Sequence, residues 1–238
     1  IDDQTLAVVR VDLQGIDLDA LVDRIRRTIS DVAGPEAMEQ AKGPLEESHA
    51  EVGARHKAFV QAGAKDLYAV VSLNDLPGFL AAVPVSAGNR EALLNQVQDT
   101  IRELQIPAME TYAFGDLVLA GPKETIERIQ KRTTTVRSDA LAAAFGACAG
   151  RTVQAIVIPT ADQNRVLAEM LPQVLGGSGA RQFAGLKWAA LGVDLPPSMA
   201  LGLTIETAGP DSAEGLLKVL KDVYAWVAQQ PDIRSSVP

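Results

Sequence analysis

The strongest cluster of residues in this chain with the chemistry to bind a metal or move a proton is one polar stretch, EESHAEVGARH, from Glu46 to His56. His49 and His56 are its only histidines. Their seven-residue spacing sets them two turns apart on one helical face, with Glu46 a turn before His49. Zinc ligands from a single helix sit three or four apart, as in H-E-x-x-H, because the ligand atoms must converge on one ion. His49, His56 and Glu46 are therefore a candidate metal site only with a further ligand from elsewhere; the competing reading is a solvated polar helix. Any His-based triad would also have to use this stretch, and no G-x-S-x-G elbow supplies its serine. Gly176-Gly177-Ser178-Gly179 follows a helical pattern rather than a strand. It lacks the Lys-Ser/Thr of a phosphate-binding loop and reads as a flexible connection. No cofactor is expected.

Other candidates are single residues. Asp12, Asp75 and Asp194 fall at the ends of strand-like runs, where paired acids can act as acid and base. Aspartate also favours such turns through local hydrogen bonds, and that reading is preferred. Arg10, flanked by valines, is expected to leave its strand end or meet an acid. Cys148, the single cysteine, lies among small apolar residues without a nearby histidine and reads as a buried, unreactive thiol.

The elements that hold these residues come from a repeat. Tyr68 to Asp99 and Trp188 to Asp222 share one order of features: an aromatic-Ala pair, Leu-Pro, an apolar run, Ala-Gly, a Leu-Leu pair and a closing Asp. Pro77 matches Pro197 at a shift of 120, Gly88 matches Gly209 at 121, and Leu93-Leu94 match Leu216-Leu217 at 123. Thr5 to Val11 is echoed by Thr152 to Ile158 at 147, so about 27 extra residues (147 − 120) sit between the first helix and second strand of the first copy. Tyr68 and Trp188, at matching positions, read as core anchors.

Each copy reads β-α-β-β-α. Ile16 to Ile29 repeat apolar residues at helical spacing after an N-cap at Asp17, in a helix that should end near Ala33-Gly34-Pro35, and Gly43-Pro44 should interrupt or restart the following helix. Asn89 should cap a helix carrying Leu93, Val97 and Ile101, and Glu110 to Ala120 reads as a hairpin turning at Gly115-Asp116 or as one bent strand. The expected class is α+β: an internally duplicated β-α-β-β-α unit with mainly antiparallel sheets and helices packed on one face. The expected division is a first repeat, 1–131, with a helical insertion at 35–64 and an extra hairpin-helix at 108–131. A connector at 132–137, a second repeat at 138–229 and a frayed tail at 230–238 complete it.

Composition narrows function. A net charge of −8 over 238 residues argues against nucleic acid, whose phosphates call for clustered Lys and Arg. No apolar run approaches the roughly 20 residues of a membrane span. At 47% hydrophobic but 4% aromatic, the core must be built from Ala, Val, Leu and Ile.

The segment from Tyr112 to Gly121 (YAFGDLVLAG), with Glu124-Thr-Ile-Glu and Ser138-Asp-Ala-Leu-Ala-Ala-Ala-Phe after it, resembles a family of bacterial extracytoplasmic domains of unassigned function. The resemblance covers roughly residues 110–159 and carries over no catalytic residue. It implies a secreted, periplasmic or membrane-tethered protein. A chain beginning at Ile1 fits removal of an N-terminal signal or anchor. The expected function is non-catalytic binding of an unknown protein or small molecule, or homo-oligomerisation, through the sheet face or the 35–64 insertion. The alternative is a hydrolase-type or metal-dependent enzyme with its site near that insertion.

Overall fold

The computed structural model describes residues 5–72, 79–131, 137–160, 162–165 and 185–229. Among them are eight strands: β1 (Thr5–Asp12), β2 (Asp66–Ser72), β3 (Leu80–Pro84), β4 (Met109–Phe114), β5 (Leu117–Pro122), β6 (Val153–Val157), β7 (Leu186–Asp194) and β8 (Ala200–Thr207). They form one antiparallel sheet in the order β4-β5-β3-β2-β1-β6-β7-β8. The helices are α1 (Leu18–Gln61), α2 (Arg90–Glu103), α3 (Lys123–Gln130), α4 (Asp139–Ala147) and α5 (Pro210–Gln229). The chain is thus α+β, and a single sheet runs through both sequence halves because β1 pairs with β6.

Two ladders of side chains fix the faces, since neighbours along a strand point to opposite sides. One row runs Thr111, Ala120, Ala81, Ala69, Val9, Ala155, Leu191, Leu203; the next runs Tyr112, Leu119, Ala82, Tyr68, Arg10, Gln154, Gly192, Gly202. On the first face, the end of α1 and α2 bury Ala64, Leu93 and Val97 against Val83, Val118 and Ala120. On the opposite face, α4 buries Ala144 and Cys148 against Ile156, Trp188 and Ala190. Helices therefore cover both faces, not one. The alternation within a strand explains it: Ala155 and Ile156 are both apolar, so a central strand needs cover on each side.

The α1 region departs from expectation in one place. Asp17 caps it as expected, its carboxylate accepting from the Ala20 amide at 2.9 Å. The break expected near Gly34 is there, at a φ of 85° that suits glycine and few other residues, but Gly43-Pro44 does not interrupt the helix that follows. Gly43 and Pro44 are exposed, so water can satisfy the carbonyl that Pro44 leaves without a donor. Past Gly34 the chain doubles back, bringing His49 to Asp19 and His56 to Leu13. The 35–64 insertion is thus the second arm of a helical hairpin, and Val22 is the only fully buried residue in α1.

The β4–β5 hairpin turns at Gly115-Asp116 as expected, with Gly115 at φ 55°. Asn89 stands at the N-cap position of α2 as expected, but its side chain makes no capping hydrogen bond. It ends a short 3₁₀ turn at Ala87–Asn89, and its side chain fills the space beside Gly63, where a Cβ would lie 2.3 Å from Nδ2.

Candidate functional site

The polar groups that meet inside the fold lie on the α4 side of the two central strands. Arg10 and Gln154 are direct cross-strand neighbours, each a polar residue in an apolar run. Arg10 Nε donates to Asp66 Oδ1 at 2.9 Å, and its Nη1 donates to Gln154 Oε1 at 3.1 Å. Gln154, buried at 3% exposure, donates through Nε2 to the Cys148 carbonyl at 2.5 Å. That carbonyl also accepts from the Arg151 amide at 3.4 Å. Arg151 then pairs with Asp194 at the end of β7. The chain of contacts thus runs Asp66, Arg10, Gln154, Cys148 carbonyl, Arg151, Asp194.

Glycines make room for this arrangement. A Cβ on Gly192 would lie 2.6 Å from Arg151 Cγ and 3.0 Å from Cys148 Cβ. Gly202, the next residue in the row, lies under the guanidinium with its Cβ position 3.8 Å from Arg151 Nη2. The arginine stem therefore crosses β7 where no side chain stands.

The electrostatics favour structure over reactivity. Burial pulls the Arg10 guanidinium down, but the charge and hydrogen bond of Asp66, with smaller contributions from Tyr68 and Asp12, carry it above its ordinary value. Burial pushes the Cys148 thiol up, against its backbone hydrogen bond and the Arg10 charge. A thiol held protonated is a poor nucleophile. Its Sγ donates to the Ala144 carbonyl at 3.4 Å.

The sequence candidates are dispersed. His49 Nε2 lies 3.1 Å from Asp19 Oδ1, and His56 Nε2 donates to the Leu13 carbonyl at 2.6 Å. Both histidines tie the second arm of α1 to what precedes it, and Glu46 is exposed on that arm. Among the described residues no group of three or more His, Cys, Asp or Glu is placed to hold a metal. Asp12 binds its own turn, accepting from the Gln14 and Gly15 amides at 3.1 and 3.2 Å. Asp194 serves Arg151; Asp75 and the Gly176 loop lie outside the described residues. Trp188 is buried in the α4 cluster, and Tyr68 meets Phe145 edge-on at 6.4 Å, so both are core anchors. Arg10 and Asp194 stand out in the sequence, whereas Asp66, Gln154 and Arg151 join them only through the fold. The available signal was Gln154, a polar residue inside the apolar run Val153–Val157.

Two surface features remain. An open groove of about 590 Å³ between α1 and α2 is lined by Glu51, Ala54, Arg55, Ala58, Gln96 and Glu103, but Arg55 is already held by Glu51 and Glu103. The other is apolar. Met199, Leu201 and Leu203 are 61%, 73% and 49% exposed at β8, the last strand of the sheet among the described residues. No helix among the described residues is long and apolar enough to cross a membrane. No protein-family model, curated protein or solved structure matches this chain.

Proposed function

We propose that this chain is a non-catalytic interaction domain that engages a protein partner along the β8 edge of its sheet, acting outside the cytoplasm. The carrying observation is the exposure of Leu201 and Leu203 on β8, which is the terminal strand of the sheet among the described residues; the outer side of such a strand can pair with another chain. The groups that would do chemistry are meanwhile engaged with one another: Arg10 with Asp66 and Gln154, Arg151 with Asp194, His49 with Asp19. The extracytoplasmic placement rests on the resemblance of residues 110–159.

The same reading holds the two halves to be an internal duplication. Outward from the β1–β6 junction the strands run β1-β2-β3 and β6-β7-β8. If Tyr68 corresponds to Trp188, then Val70 corresponds to Ala190, and their partners Val8 and Ile156 correspond at a shift of 148. That is one residue from the sequence alignment and keeps each residue on its own face.

A photo-cross-linking residue at Leu201 in the native cell tests the function, with one at exposed Glu36 as background. Covalent capture of protein specifically from position 201 is expected. Equal labelling at both positions, together with turnover of a generic ester or phosphate substrate, refutes the proposal.

A further inference from the structure

The two ends of the sheet differ in what lies beneath corresponding helices. At one end α2 packs on β4 and β5, and its Leu93, Leu94 and Val97 join Val118, Ala120 and Met109 in one cluster. At the other end Leu216, Leu217 and Leu220 of α5 stand at the matching positions, each shifted by 123. Leu216 is buried as Leu93 is, at 3% against 0%. Leu217 and Leu220 are 52% and 36% exposed, whereas Val97 is 7%. The difference is the β4–β5 hairpin. β5 pairs antiparallel with β3 and supplies the apolar floor that α2 covers; β8, the counterpart of β3, has no such neighbour among the described residues. Among the described residues no strand pairs with the outer side of β8, whose Leu201 and Leu203 are exposed.

We propose that a second copy of this chain occupies that side, β8 pairing antiparallel with β8 of the other copy about a two-fold axis at Leu203. This rests on the reading of β8 as an interaction edge. A two-fold axis perpendicular to the sheet keeps every residue on its own face. Leu203 then meets its own counterpart, Leu201 meets Ile205, Gly202 meets Thr204 and Ala200 meets Glu206. The apolar row is thereby self-complementary. Glu206, the only charged residue of β8, faces an alanine and keeps its ion pair with Lys187 at 3.5 Å, so no like charges oppose each other. The chain already joins its two halves by the same device, since β1 and β6 meet antiparallel, edge to edge. The other terminal strand is less open: both α2 and α3 pack on β4.

Sedimentation of the purified chain, with and without Leu203→Lys, tests the proposal. Leu203 is half exposed, so the substitution leaves the fold intact, checked by circular dichroism. It enters the interface twice and is expected to raise the dimer dissociation constant about 100-fold or more. A spin label on Leu203→Cys is expected to report one short label-to-label distance in the dimer, while a label on Glu110→Cys of β4 reports none. A monomer at about 100 μM, a dimer indifferent to Leu203→Lys, or open polymers with Glu110 near Leu203 would each overturn it. Capture of a different protein from position 201 by a chain that is itself monomeric overturns self-pairing while leaving the interaction role standing. No capture and no dimer removes both.

Discussion

Replacing Arg10 by methionine probes the centre of the sheet, where charge is held between apolar strands. Methionine keeps much of the arginine stem's volume but removes the guanidinium. Two losses follow. Asp66 loses a charge-assisted hydrogen bond, but it is a quarter exposed and water replaces part of the interaction, leaving about 1 kcal/mol. Gln154 loses the donor to its Oε1 at 3% exposure, and a buried acceptor left unpaired costs about 1–3 kcal/mol. The total is about 3 kcal/mol, equivalent to a melting temperature lower by about 6–12 °C for a chain of this size. Gln154→Leu alone is expected to cost only about 1 kcal/mol, because Arg10 keeps Asp66 and the Cys148 carbonyl keeps the Arg151 amide. In the double variant no acceptor is left stranded, so the two substitutions should couple by about 1–2 kcal/mol in the favourable direction. Urea unfolding followed by circular dichroism at pH 7 measures all three. Additive effects, or a loss below about 1 kcal/mol for Arg10→Met, would refute the account of Gln154 as a residue satisfied through Arg10.

The glycines under Arg151 should differ sharply. Gly192→Ala drives a Cβ into the Arg151 stem and Cys148 and is expected to cost about 1–3 kcal/mol, whereas Gly202→Ala meets only ordinary contact and should stay within about 1 kcal/mol; thermal melts of both decide it. The raised Cys148 thiol sets a pH dependence. Above the ordinary thiol value of 9.0 the unfolded thiol ionises while the folded one stays protonated. Its contribution is therefore complete below pH 9.0 and is lost as pH rises through the folded value, by up to about 1.4 kcal/mol per pH unit. Cys148→Ala should flatten that part of the stability curve in the alkaline range, and an unchanged slope would exclude the thiol as its source.

What was legible in the sequence was local. Asp17 as a cap, the turn at Gly115-Asp116, and the helix carrying Leu93, Val97 and Ile101 depend on a few neighbouring residues and on the periods of two and 3.6. The order of features shared by Tyr68–Asp99 and Trp188–Asp222 was legible because it is a comparison of the chain with itself. The break in α1 at Gly34 is legible from Ala33-Gly34-Pro35, but the second one expected at Gly43-Pro44 is absent, because both glycines permit a turn and only packing selects one. Here the selection is the contact of the returning arm with Asp19 and Leu13.

The tertiary structure alone decided what depends on residues distant in sequence. Arg10 and Gln154 are 144 positions apart, and no period within either strand says that β1 and β6 will be neighbours or in what register. A one-residue slip would turn Arg10 to the face of Val9 and away from Gln154. The exposure of Leu201 and Leu203 has the same origin. Along the strand their alternation is that of a strand bound for a core; they stand open because the first half has the β4–β5 hairpin at its edge and β8 has no counterpart beside it among the described residues. A local pattern specifies which side chains share a face, and only the assembled sheet specifies what, if anything, covers that face.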